Sequence, residues 1–131
     1  MPFDARELFA NLAEKEKIKG HHSPEGRAIR VLSRALNGWA SGGLSSRDVV
    51  ALCNQAVEDW LKARLKRSPW SAQTTTALLA AGVKHHLISR LDAVRLQKIA
   101  NLGTRGGDER ISKAELENAL EVCTRVIERH W

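Results

Sequence analysis

Apolar residues recur at intervals of three and four along most of this chain, the spacing that places side chains on one face of an α-helix. The pattern is most regular over residues 47–66, where it persists for about five helical turns. No segment alternates apolar and polar residues in the way that is typical of a β-strand. The sequence therefore predicts an all-α protein, an up-and-down bundle of four to six helices.

Capping residues and glycines indicate where the helices begin and end. Ser112 and Glu115 have the spacing of a capping box, in which each side chain accepts a hydrogen bond from the other residue's backbone N–H. Ser89 and Pro24 indicate two further helix starts. The predicted helices cover 5–17, 24–40, 47–66, 71–81, 90–102 and 113 to near the C-terminus, with Gly82 ending the fourth and Gly103 ending the fifth.

Length and composition indicate one globular domain. The chain has 131 residues, of which 43% are hydrophobic and 27% charged, and these values exclude wholesale disorder. We expect residues 21–131 to form the bundle and residues 1–20 to form an N-terminal helix, either docked on it or accessory to it. Apolar runs fall short of the ~20 residues of a membrane-spanning helix, and the N-terminus lacks a signal peptide. We therefore expect a cytoplasmic protein with no membrane association.

Basic residues outnumber acidic ones by 21 to 15, which gives a formal net charge of +6 and a pI near 9.8. A positive protein attracts anionic partners over a Debye length, so the charge is compatible with RNA or a nucleotide as ligand. A charge of this size also serves solubility alone. The composition does not decide between these two interpretations.

Cysteines and histidines do not form a metal-binding pattern. Cys53 and Cys123 lie on apolar helical faces, where a free cysteine acts as a small buried hydrophobe. The adjacent histidines at 21–22 and 85–86 point about 100° apart if helical, which does not suit two ligands of one ion. We expect no metal site and no cofactor.

Three segments together carry a resemblance to a known family. Residues 51–63 (ALCNQAVEDWLKA) contain the pattern Gln-Ala-x-Glu-x-x-Leu-Lys, residues 96–106 (LQKIANLGTRG) end a helix around an Asn, and a capped helix closes the chain. These resemble the long helix, the hallmark Arg-Asn-x-x-x-His and the closing helix of the HEPN superfamily. That family comprises small helical bundles of toxin–antitoxin pairs, RNA-cleaving defence proteins and nucleotidyltransferase partners. The resemblance covers roughly residue 25 to the C-terminus.

The resemblance implies a homodimer packed through the hallmark region. In active members the hallmark Arg and His meet across the dimer and cleave RNA without metal. Here Ala100 stands at the Arg position, Asn101 keeps the Asn, and Arg105 stands at the His position. Arginine cannot accept a proton near neutral pH, but it can hold a phosphate by two hydrogen bonds. The substitutions argue against cleavage by that mechanism.

Asn101, Arg105 and Arg110 form the candidate ligand site, because two guanidinium groups flank a Gly-rich loop that can receive an anion. The alternative is a solvated turn in which Asn101 bonds loop backbone. Gln55 and Glu58 either line a dimer seam or face water. A basic patch at the end of the third helix, which also stabilises the helix dipole, is a secondary RNA-binding hypothesis. It comprises Lys62, Arg64, Lys66 and Arg67.

These observations lead to one preferred function and two alternatives. We expect a noncatalytic HEPN-like binding or partner-recognition module whose ligand is RNA, a nucleotide or another protein. The first alternative is a divergent metal-independent ribonuclease of a bacterial toxin–antitoxin or defence system, in which Arg105 holds the phosphate and His85 or His86 replaces the lost base. The second is a structural assembly protein whose positive charge is incidental.

Overall fold

The computed structural model describes residues 5–19, 24–67, 73–102 and 111–129, and these ranges hold six α-helices and no β-strand. The prediction of an all-α protein is confirmed, and the helix count lies within the predicted range. In chain order the helices are α1 (Ala5–Lys19), α2 (Pro24–Ser41), α3 (Ser46–Arg64), α4 (Thr75–Lys84), α5 (Arg90–Leu102) and α6 (Lys113–Arg129).

Helix α3 is central, because it packs against α2, α4, α5 and α6. Helix α1 packs against α2 and α6, while α4 and α5 form a hairpin on α3 whose second helix also reaches α6. Gly42, in the short turn between α2 and α3, has a φ of +70°, a left-handed conformation that glycine adopts without a steric penalty. Short connections of this kind place consecutive helices side by side.

One hydrophobic core joins all six helices. Leu8 and Leu12 belong to it, so α1, for which the sequence allowed an accessory role, packs on the bundle. Trp60 is the largest fully buried side chain of the core. Cys53 and Cys123, on α3 and α6, are free and buried, as the apolar pattern predicts.

Hydroxyl side chains begin four of the helices. The predicted capping box is confirmed: Glu115 Oε1 accepts the backbone N–H of Ser112 at 3.1 Å, and the Ser112 hydroxyl accepts that of Glu115 at 3.1 Å. The cap predicted at Ser89 is also confirmed. The caps at Ser45, Thr74 and Ser89 each accept the backbone N–H three residues later, at 3.1 to 3.2 Å.

Helix α4 differs from its predicted range of 71–81. It begins later because Thr74 is its N-cap, so the threonine run marks a helix start. It also continues through Gly82, where the prediction placed its end. Gly82 is buried, and a Cβ there would lie 3.1 Å from Ile88 Cγ1 and 3.2 Å from Leu61 Cδ2. The glycine therefore permits close packing of α4 on the core rather than ending the helix.

Helices α3 and α4 end with the same backbone motif. Lys66 and His86 have φ values of 57° and 60°, the left-handed conformation of a Schellman motif. The N–H of Arg67 donates to the Lys62 carbonyl oxygen at 2.8 Å, and Leu87 and Gly82 repeat the bond at 2.8 Å. Both helices therefore end at non-glycine residues in a conformation that favours glycine.

Candidate functional site

A polar groove of about 640 Å³ lies where α4 and α5 meet α3. Most of the groove-lining side chains carry amide, hydroxyl or carboxylate groups, and only two are alanines. We call this feature the α3–α4–α5 groove. It is lined by Ala51, Asn54, Gln55, Glu58, Thr75, Thr76, Gln97, Ala100 and Asn101.

Hydrogen bonds orient the polar groups of α4 and α5 along the groove. The Thr76 hydroxyl donates to Gln97 Oε1 at 2.9 Å, and Gln97 Nε2 donates to Asn101 Oδ1 at 3.1 Å. Gln97 and Asn101 are four residues apart, so they lie on the same face of α5. The chain of bonds assigns each amide a direction, which holds Asn101 in place at the end of α5.

The first residue of α4 ties the hairpin to α3. The Thr75 hydroxyl donates a hydrogen bond to Glu58 Oε1 across the groove. Partial burial raises the pKa of the carboxyl of Asp59, the next residue of α3, despite the opposing charges of Lys62 and Arg27. The two neighbouring acids thus face different surroundings, and Glu58 is the one in the groove.

Asn101 lies between two concave surfaces. Besides the α3–α4–α5 groove it borders a smaller hollow of about 350 Å³ between α5 and α6, together with Lys98 and Asn118. Asn101 and Lys98 are exposed. An exposed amide and an exposed ammonium one turn apart give this end of α5 groups that can bind both a base edge and a phosphate.

The structure brings some of the predicted site residues together. Asn101 lies in one groove with Gln55 and Glu58. The sequence placed these two residues on the third helix but predicted no ligand for them. Arg105 and Arg110 lie outside the described residues. The basic patch lies at the C-terminal end of α3, and none of its residues lines the groove. It comprises Lys62, Arg64, Lys66 and Arg67.

Sequence reasoning missed the contributions of Thr75, Thr76 and Gln97. One signal was present for Gln97, because it precedes Asn101 by four residues on a predicted helix. For the threonines the sequence contained no comparable signal. Their role depends on how α4 packs, and the cap at Thr74 sets which of them face the groove.

The histidines of the hairpin lie at its other end. His85 and His86 follow the last residue of α4, whereas Thr75 and Thr76 begin that helix. His85 follows Thr76 by nine positions, which corresponds to a rise of roughly 14 Å along an α-helix. Among the described residues no cluster of three or more His, Cys, Asp or Glu could hold a metal ion. The groove is therefore a polar site distant from both histidines.

Comparisons with protein families, curated proteins and solved structures find no significant match to this chain. Within the described ranges, no helix combines the length and the apolar character needed to cross a bilayer. The groove geometry is thus the main guide to function.

Proposed function

We propose that this protein is a noncatalytic HEPN-like binding module that holds single-stranded RNA or a nucleotide in the α3–α4–α5 groove. The observation that carries the proposal is the hydrogen-bonded chain from Thr76 through Gln97 to Asn101 along that groove. Asn and Gln amides present a donor and an acceptor side by side. That arrangement matches the edge of an unpaired base.

The charges around the groove suit a phosphate-bearing ligand. The net charge of +6 attracts polyanions, and Lys98 adds an exposed cation beside Asn101. Arg105 and Arg110 follow Asn101 by four and nine residues in the chain. Guanidinium groups bind phosphate oxygens in pairs. In this proposal the groove recognises the base while the arginines hold the backbone.

The position of the histidines favours binding over catalysis. The ribonuclease alternative needs His85 or His86 near the groove, because Arg105 cannot act as a base. Both histidines lie at the opposite end of the α4–α5 hairpin from Asn101. A homodimer packed through the hallmark region remains part of the proposal, since the HEPN resemblance implies one.

Fluorescence anisotropy with a labelled single-stranded RNA of about 12 nucleotides tests the proposal directly, with ribonucleoside monophosphates as competitors. We expect saturable binding that weakens as salt rises, and we expect Gln97→Ala and Asn101→Ala to weaken it by about tenfold each. Asn37→Ala is the matched control, because Asn37 is exposed on α2, away from the groove. Competition by monophosphates would identify a nucleotide site, and equal binding by all variants would refute the proposed groove.

A cleavage assay separates the binding module from the ribonuclease. The full chain is incubated with mixed RNA beside Arg105→Ala, His85→Ala and His86→Ala variants. We expect intact RNA in every sample. In the anisotropy assay, we expect only Arg105→Ala to bind RNA more weakly. Arg34→Ala on α2 is the matched arginine control. Cleavage that depends on Arg105 and on either histidine would replace the binding module with the enzyme.

A further inference from the structure

Helix α5 has an exposed face that the groove does not use. Leu91 and Val94 are 58% and 52% exposed, and they are the large hydrophobic residues that the described structure leaves open to solvent. They lie three residues apart, which places them one above the other on the helix. Isolated exposed apolar residues are common, but an adjacent pair on one helical face forms a small patch.

Positive charges surround this patch. Arg90, Arg95 and Lys98 are all exposed on α5, and Lys98 continues the line of Leu91 and Val94 by one further turn. We call these five residues the cationic α5 face. The one acid of α5, Asp92, is 1% exposed, and Arg129 Nη1 binds both of its carboxylate oxygens at 3.1 Å. Helix α4 contains no acid. Arg95 Nη1 also lies 3.8 Å from Asp92 Oδ1, on the buried side of the helix. The hairpin therefore presents apolar contacts within a rim whose exposed charges are cationic.

We propose that the cationic α5 face docks an acidic amphipathic helix of a partner protein. A helix with an apolar stripe would pack on Leu91 and Val94, while carboxylates beside that stripe would meet Arg90 and Lys98. We choose an acidic helix as the partner because its carboxylates complement the cations of this face. The proposal does not depend on RNA binding. The two proposed binding surfaces share Lys98, but the groove lies on the adjacent side of α5 and is lined there by Gln97, Ala100 and Asn101.

Other occupants fit the cationic α5 face less well. A second copy of the chain in a two-fold contact would place three cations opposite the same three cations. RNA would gain little from Leu91 and Val94, because aliphatic side chains neither stack on bases nor form hydrogen bonds with them. Two apolar side chains are also too few to anchor a helix in a lipid surface.

The test uses a labelled synthetic peptide of about 18 residues with leucines at helical spacing and flanking glutamates. A second peptide replaces the glutamates with glutamine, and a third scrambles the order. With the full chain, we expect saturable binding of the acidic helical peptide. The glutamine and scrambled peptides should bind at least about tenfold more weakly.

Variants of exposed residues locate the peptide. Leu91→Ser with Val94→Ser, and separately Arg90→Glu with Lys98→Glu, should each weaken binding by about tenfold or more, while Arg34→Glu on α2 should not. Circular dichroism confirms that each variant remains folded. Asn101→Ala should bind the peptide normally, which separates this surface from the proposed RNA groove.

Several outcomes would overturn the proposal. The first is equal binding of the acidic and glutamine peptides, and the second is peptide binding that survives both double variants. The others are self-association that requires Leu91 and Val94, and binding to phosphatidylserine vesicles that requires the same two residues. Sedimentation velocity and vesicle flotation measure the last two. If the unmodified protein binds the peptide but not RNA, only the proposed groove is refuted.

Discussion

The two sides of α3 differ in how they are built. On one side α2 and α6 pack against it, α1 packs on both of those helices, and the core between them is apolar, with an ion pair between Arg125 of α6 and Glu7 of α1 outside that core. On the other side the α4–α5 hairpin contacts α3 and α6 but reaches neither α1 nor α2. The hairpin interface includes hydrogen-bonded Thr75, Thr76 and Gln97 and the buried Asp92. We infer that the first side supplies most of the stability and that the second supplies the binding surfaces.

The difference between the two sides extends to their polar groups. On the apolar side, the fully buried polar residue is Thr124, whose hydroxyl donates to the Leu120 carbonyl oxygen at 2.7 Å within α6. An exposed bond from Arg125 Nη2 to Glu7 Oε1 at 3.3 Å joins α6 to α1. In the hairpin, the polar groups bond between helices, from α4 to α3, from α4 to α5 and from α6 to α5. Polar bonds between elements specify their arrangement, whereas a bond within one helix does not.

The largest expected effect tests the apolar side. Trp60→Ala should lower the free energy of unfolding by about 3–5 kcal/mol, because it removes the largest fully buried side chain and leaves a cavity. Val94→Ala, on the exposed face of the hairpin, should change it by less than about 0.5 kcal/mol. Urea denaturation measures both values. Similar values for the two variants would contradict the proposed division of stability, and Trp60→Phe provides a milder variant if the alanine protein does not fold.

The next effect concerns the ion pair that joins α5 to α6, in which Asp92 is buried and Arg129 is about half exposed. Asp92→Ala should destabilise the protein by about 1.5–3 kcal/mol, because the carboxylate accepts two hydrogen bonds from the Arg129 guanidinium. A double-mutant cycle with Arg129→Ala should yield a coupling energy of about 1–3 kcal/mol. Glu117→Ala with Lys113→Ala is the control cycle, because neither member of this α6 pair is buried and their charged atoms lie 4.0 Å apart. Equal coupling in the two cycles would show that burial adds nothing to the Asp92 pair.

A smaller, stabilising effect is expected at the ends of α3 and α4. Lys66→Gly and His86→Gly should each raise the free energy of unfolding by about 0.5–1 kcal/mol, because glycine adopts the left-handed conformation without the Cβ penalty. Lys84→Gly, in the last turn of α4, is the control and should be destabilising. Destabilisation by either of the two variants would contradict this account.

The smallest effect concerns Asp59, where burial raises the carboxyl pKa above its ordinary value of 3.8. The folded state then binds more protons than the unfolded state, so stability is lost as the pH rises through the raised pKa. Asp59→Asn should therefore raise the Tm at pH 7, and the gain should vanish below the ordinary pKa. Asp48→Asn, in the first turn of α3, should instead lower the Tm slightly at pH 7. A gain for Asp59→Asn that persists in acid would contradict this account.

The two cysteines of the apolar core allow a further prediction, about the chemical reactivity of the Cys53 thiol. A hydrogen bond with Cys123 and burial together raise the pKa of the Cys53 thiol well above its ordinary value. The thiol therefore stays protonated at neutral pH. A thiol-specific reagent should label Cys53 only when denaturant opens the protein.

Much of the secondary structure was predictable because its signals are local. The caps at Ser89 and Ser112 depend on hydrogen bonds across three residues, and the apolar spacing of α3 depends on one helix alone. The exception shows the limit of local signals. Gly82 has the local character of a helix end, but it lies inside the helix, where Leu61 and Ile88 pack so closely that a Cβ would be tightly confined.

The sequence by itself determined that the chain forms helices, and it named Asn101 as a candidate site residue. Only the tertiary structure decided which residues join Asn101, because Thr76 lies 25 positions earlier in the chain and Glu58 lies 43 positions earlier. The tertiary structure likewise decided that Leu91 and Val94 face solvent while Asp92 between them is buried. The physical reason is that periodicity and capping act over one or two turns, whereas burial and grooves arise from packing between helices that the sequence separates.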